Sequence, residues 1–199
     1  MNMRAQQLRR RNLRPLAALA ALFLLPLLLA FFLYYGSSWR PAHRLNHGVL
    51  ITPARALPRA PLAAPGGDAA DVAPFGQQWS LVYIDGGACA AACRQALYLM
   101  RQMRLALNSD RTRVVRVLLV SGACGDCAAL SREDPGLELF DANGAAGAAL
   151  LREFPAAARE HTVFVVDPLG NLMMSYDVLG DPHGLLEDLK KLLKLSHIG

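Results

Sequence analysis

From Trp79 onward the apolar residues fall into runs of two different periods, and their order predicts an α/β sandwich with a central mixed sheet. Leu81-Val-Tyr-Ile84 is a short unbroken apolar run ending at Asp85-Gly-Gly, the pattern of a strand buried on both faces. Ala96, Met100, Met103 and Leu107 then recur at helical spacing, with Arg94, Arg101 and Arg104 left for solvent, and Asn108-Ser-Asp stops that helix. Arg113 to Val120 is a second buried strand, parallel to the first through a right-handed crossover. A loop region with Cys124 and Cys127 comes next, then a short strand at Leu137 to Phe140 and an Ala-rich helix around Ala145 to Phe154. Thr162 to Val166 and Leu172 to Tyr176, joined by Asp167-Pro-Leu-Gly-Asn, read as a hairpin. A last helix buries Leu185, Leu186, Leu189, Leu192 and Leu193 and carries Lys190, Lys191 and Lys194 in its final turns, where cations suit the dipole.

The N-terminus has a different pattern. The uncharged run from Pro15 to Tyr35 has no polar face and, at about 1.5 Å per residue, is long enough to cross a hydrocarbon core of about 30 Å. It predicts one transmembrane helix over 15–35. A cleaved signal peptide fits less well, because the run is long for an h-region and the bulky Phe31 to Tyr35 offers no small-residue cleavage site. Residues 36–74 are rich in Pro, Ala and Gly and form a tether, with Leu45 to Pro58 apolar enough to lie on the domain as an extended arm. The remaining segment, 75–199, is large enough for one domain with its own core.

Charge sharpens the topology. Arg4, Arg9, Arg10, Arg11 and Arg14 make residues 1–14 a basic tail, whereas the other 16 basic residues match the 16 acidic ones, all of which lie beyond Tyr35. By the positive-inside rule the tail is cytoplasmic, Tyr34, Tyr35 and Trp39 mark the outer interface, and the domain lies outside the cytoplasm. A basic surplus confined to the tail gives no support to nucleic-acid binding. The chain carries no Gly-rich phosphate loop with Lys-Ser/Thr, no Gly-x-Ser-x-Gly and no His-Glu-x-x-His, so nucleotide and hydrolase chemistry find no footing.

Cys89 and Cys93 stand where the first strand pattern gives way to the first helix pattern. A helix N-terminus favours thiolate, and positions i and i+4 face the same way, so the pair can converge on one soft metal ion or close into one disulfide. A structural staple is the weaker reading, since so small a loop constrains little chain entropy. For Cys124 and Cys127, a local disulfide is the default in an oxidising compartment, with metal binding or electron relay to the first pair left open. Met100, Met103, Met173 and Met174 keep core spacing, Asp85 reads as a turn carboxylate, and His43, His47, His183 and His197 read as surface residues. His161 differs, because the strand edge it occupies borders the cysteine loop.

Cysteines at the first strand-to-helix junction fit a sandwich of thioredoxin type. Trp79 to Val120, with its strand, Cys-x-x-x-Cys and second strand, resembles the membrane-anchored Sco/SenC proteins, which help deliver copper to cytochrome c oxidase. His161, ahead of the strand ending in Asp167-Pro168-Leu-Gly170, resembles that family's third copper ligand. The layout is also similar to the short Sco-like transmembrane proteins of proteobacteria, with Asn46 to Pro53 and Gly87 to Arg94 carrying the match. Alanines replace the prolines usual beside the cysteines, Ser121-Gly-Ala-Cys-Gly-Asp-Cys127 replaces an Asp-Pro-x-Arg-Asp segment, and His161 lies two residues nearer the Asp-Pro turn than usual.

The resemblance implies an assembly factor in the bacterial inner membrane, with its C-terminal domain periplasmic. Its metal would be Cu(I), held by Cys89, Cys93 and His161, or its cysteines would keep an acceptor's thiols reduced. Its partners would be a cytochrome c oxidase subunit or another copper or thiol assembly factor. A thiol-disulfide oxidoreductase using Cys89 and Cys93, and a scaffold without chemistry, stay open beside it.

Overall fold

A computed structural model describes residues 3–36, 46–67, 72–156, 161–196 and 198–199. Trp39, His43 and His197 lie outside the described residues, as do the side chains of Arg4, Arg9, Arg10, Arg11 and Arg14. The chain divides into two units, Met1–Arg44 and Leu45–Gly199. In the first, a single helix, α1 (Met3–Gly36), contains the apolar stretch Pro15–Gly36, with a mean hydropathy of 2.8 and enough length to span a membrane. Pro15 and Pro26 both fall inside it.

The second unit runs β1 (Val49–Ala56), β2 (Trp79–Asp85), α2 (Ala91–Ala106), β3 (Val114–Val120), α3 (Cys127–Glu133), β4 (Leu137–Asp141), α4 (Ala145–Glu153), β5 (Thr162–Val166), β6 (Asn171–Asp177) and α5 (Pro182–Leu195). One sheet holds all six strands in the order β1-β6-β5-β2-β3-β4. β2, β3 and β4 are parallel, while β5, β6 and β1 run antiparallel to their neighbours. This is the expected mixed-sheet α/β sandwich, hairpin included. The extended arm takes the form of β1, an edge strand on β6, so the described part of the folded unit starts as early as Asn46.

Alternation along the strands divides the core into two layers. Leu81 and Tyr83 face a cluster completed by Met100 and Met103 of α2 and Leu185, Leu189 and Leu193 of α5. Val82 and Ile84 face another, with Leu150 and Phe154 around α4 and Leu57, Leu62 and Phe75 from the segment after β1. The methionines of α2 are core residues, as their spacing requires, and Arg94 and Arg101 are exposed. Burial of a Leu or Met in such a layer contributes about 1.5–3 kcal/mol.

Two buried charges interrupt the apolar pattern. Arg116 on β3 is ion-paired with Asp134, Nη2 donating to Oδ1 at 2.8 Å. Burial tends to raise the Asp134 pKa, and the hydrogen bonds and charge of Arg116, with the Arg101 charge and a backbone hydrogen bond from Gly136, together outweigh it to hold the carboxyl below the usual range. Asp188 of α5, buried to 3% exposure, accepts hydrogen bonds from the His47 and Gly48 N–H groups at 2.6 and 3.2 Å and from the Tyr176 hydroxyl at 3.0 Å. Those bonds, with Lys191, outweigh desolvation and keep Asp188 below the ordinary carboxylate range. They fasten the start of the arm to α5.

Candidate functional site

The site grows from the C-terminal ends of β2 and β3, paired in parallel as far as Asp85 opposite Val120. Sites in open α/β sheets gather at such ends, where chain leaves adjacent strands together. Asp85 closes β2 and organises the cysteine loop. Its Oδ1 accepts from the N–H groups of Gly87 and Cys89 at 2.8 and 2.9 Å, and its carbonyl accepts from the Ser121 N–H at 2.8 Å. The turn carboxylate expected at this position thus also fixes the backbone of the first cysteine.

Helix α2 begins at Ala91, so the pair does not share a helix face as i and i+4 spacing suggested. Cys89 stands before the helix at φ +32°, and only Cys93 is in its first turn. The backbone turn at Cys89 brings the residues together by another route, with a Cα separation of 5.0 Å and a disulfide between them. Both cysteines are 2% exposed. Cys93 borders an open pocket of about 350 Å³ whose wall includes Asp85, Gly86, Ala90, Ser121 and His161.

His161 immediately precedes β5 and is exposed. Its φ of +59° lies in the left-handed region, as does that of Cys89, at a cost on the order of 1–3 kcal/mol for a residue with a side chain. Backbone outliers of this kind cluster at functional sites. His161 lines the pocket, and Cys89 is bridged to Cys93, which lines it too. Among the described residues no group of three or more His, Cys, Asp and Glu side chains is arranged to hold a metal ion.

Cys124 and Cys127 form a second disulfide, with a Cα separation of 5.6 Å. Cys127 opens α3, a helix of seven residues where the sequence pattern predicts loop. Both cysteines line a separate cleft of about 430 Å³ with Asp141 and Asn143. The two pairs nonetheless belong to one packed unit. Cys89, Cys93 and Cys127 lie in the same buried cluster, and Cys124 packs against it.

The loops carrying them interlock through glycines. A Cβ at Gly122 would overlap the carbonyl oxygen of Gly86, and one at Gly87 would overlap that of Ala123. Arg94 adds a side-chain link, its Nε donating to the Cys89 carbonyl at 3.3 Å and its Nη2 pairing with Asp126 at 3.2 Å. Sequence spacing could not show this junction. The glycines flanking both cysteine loops were the available signal.

A mixed sheet with a disulfide-bearing loop at its first strand-to-helix junction defines a thioredoxin-like domain. Residues 79–196 match the family model described as transmembrane-like, thioredoxin-like, C-terminal domain, and the chain belongs to that family. Copper-bound ScoI from Bradyrhizobium japonicum is similar in fold, with 16% identity, a TM-score of 0.51 and coverage of 68% of this chain and 98% of that one. Copper-bound ScoI from Arabidopsis thaliana has 12% identity and a TM-score of 0.54, covering 75% and 99%. A thiol:disulfide interchange protein from a Bacteroides species has 15% identity and a TM-score of 0.50, covering 71% and 90%. A search of the curated proteins gave no match. The chain is a thioredoxin-fold protein, similar in fold to Sco proteins, with an N-terminal apolar helix compatible with a membrane anchor.

Proposed function

We propose that this protein is a membrane-anchored assembly factor for cytochrome c oxidase, its domain periplasmic, which takes up Cu(I) through Cys89 and Cys93 and passes it to an oxidase subunit. The observation that carries the reading is the pocket shared by Cys93 and His161, with Cys89 bridged to Cys93 at its border. Once the bridge is reduced, two thiolates and one imidazole form a soft donor set suited to Cu(I). His161 is the third ligand in this reading. Asp85 holds the Cys89 backbone, so the loop is ordered before the ion arrives. The copper-bound Sco structures of like fold support copper as the cargo.

Full-length protein in detergent, reduced and titrated anaerobically with Cu(I), should bind about one equivalent, a stoichiometry set by one such donor set. Failure to compete with a moderate chelator would sink this function. The disulfides favour a second reading, thiol-disulfide exchange at the same cysteines, consistent with the fold of the Bacteroides interchange protein. A Cys89–Cys93 potential below about −300 mV would count against that role.

A further inference from the structure

We infer that Cys124 and Cys127 form a redox port, which receives electrons from an external protein dithiol and passes them to the Cys89–Cys93 disulfide. The inference rests on the reading that Cys89 and Cys93 must be a dithiol to work. It adds where the electrons come in.

Access is the first ground. Cys89 and Cys93 are each 2% exposed, so neither presents its sulfur at the surface to another folded protein. Thiol-disulfide exchange needs direct contact of sulfur with sulfur. Cys124 is the least buried of the four cysteines and lines an open cleft of about 430 Å³. Contact between the loops that carry the pairs is the second ground. Their loops leave adjacent parallel strands, the glycine backbones touch, Arg94 bridges Cys89 to Asp126, and Cys127 shares a buried cluster with Cys89 and Cys93. The third ground is compartment, since a dithiol outside the cytoplasm oxidises and a working pair there needs a source of electrons.

Entry of the electrons begins when a donor thiolate attacks Cys124 Sγ, breaking the Cys124–Cys127 bond and releasing Cys127 as thiolate. The donor's second thiol resolves the mixed disulfide, leaving the donor oxidised and both port cysteines reduced. Cys127 then attacks one sulfur of the Cys89–Cys93 bridge, and the departing sulfur takes a proton. Cys124 attacks Cys127 of this internal mixed disulfide, which restores the Cys124–Cys127 bond and frees the other sulfur of the first pair to take a second proton. Two electrons and two protons pass from the donor dithiol to Cys89 and Cys93.

The test uses the fully oxidised full-length chain in detergent, with reduced thioredoxin as the protein donor and alkylation of free thiols read by peptide mass spectrometry. With one equivalent of thioredoxin, Cys124 and Cys127 should be labelled first, and their label should fall as Cys89 and Cys93 become reactive. First labelling at Cys89 and Cys93, or no transfer between pairs, overturns the port. In the Cys124→Ser/Cys127→Ser variant, thioredoxin should reduce the Cys89–Cys93 bridge at least about tenfold more slowly, while a small phosphine reductant acts within about twofold of its wild-type rate, as expected if only access for a protein sulfur is lost. An unchanged thioredoxin rate overturns the proposal. Because the first arm uses the wild-type chain, poor folding of the variant leaves it decisive. Cu(I) titration of the chemically reduced wild type separates the two readings: if it fails while transfer occurs, copper carriage falls and the port stands.

Discussion

The two cysteine loops start from equivalent positions and are held differently. Both leave the C-terminal ends of adjacent parallel strands, and both bridge their cysteines within a few residues. In the first, the Asp85 carboxylate accepts two backbone N–H groups, one of them from Cys89 itself. In the second, Asp126 stands at the start of α3, makes no side-chain cap bond and turns outward to Arg94. Both cysteines of the first pair are buried, with Cys93 bordering the open pocket, and the second pair keeps one cysteine partly open. Under the functions proposed above, the difference would let one sheet edge carry an ordered site for a small ligand beside an accessible site for a macromolecule.

The largest test of the contrast is Cys89→Ser, which should abolish the binding of about one equivalent of Cu(I) expected for two thiolates and an imidazole. Retention of that stoichiometry on anaerobic titration would remove the first loop's special status. Gly122→Ala should cost about 2–3 kcal/mol in chemical denaturation, because the added Cβ meets the Gly86 carbonyl and neither backbone can yield cheaply. Asp85→Ala should cost about 1–2 kcal/mol by leaving two amides without their acceptor, and hydrogen exchange should speed at Gly87 and Cys89 more than at Cys124. Equal acceleration in both loops would erase the distinction. Arg94→Gln should shift stability by no more than about 0.5 kcal/mol, since its pair with Asp126 is exposed.

Acid tests a third place, the arm. Asp188 is held below the ordinary carboxylate value, so its stabilisation is present in full above the unfolded value of about 3.9 and is lost as pH falls through the lower folded value. Exchange at the Gly48 amide should therefore be steady from about pH 7 to 5, after correction for intrinsic rates, and should rise below about pH 4. In Asp188→Asn that rise should be blunted.

Much of this architecture was legible because burial leaves periodic traces. The apolar run at Leu81, the methionine stripe of α2 and the leucine stripe of α5 each mark a core-facing surface. The hairpin at Asp167-Pro-Leu-Gly-Asn was legible from turn chemistry, with the Asp167 carboxylate accepting from Leu169 and Asn171 N–H groups. Short or long-range features left weaker traces. Helix α3 spans two turns, too few to establish a period, and Asp188 takes a hydrogen bond from the His47 amide, 141 positions away. His47 read as a surface residue and is exposed, yet its ring also meets Glu187 at 3.1 Å. Spacing suggested that Cys89 and Cys93 can converge from one helix face, whereas the structure bridges them through a positive φ at Cys89 that left no trace in the spacing.

The glycine junction also constrains how such a sequence can diverge. With Gly122 against the Gly86 carbonyl and Gly87 against that of Ala123, the tolerance of either loop to a larger residue depends on what stands in the other. Substitutions there should be epistatic, and a lineage that lengthens or stiffens one cysteine loop should carry a compensating change in its neighbour. The two loops form one unit of inheritance across a stretch of chain that reads, residue by residue, as two separate motifs.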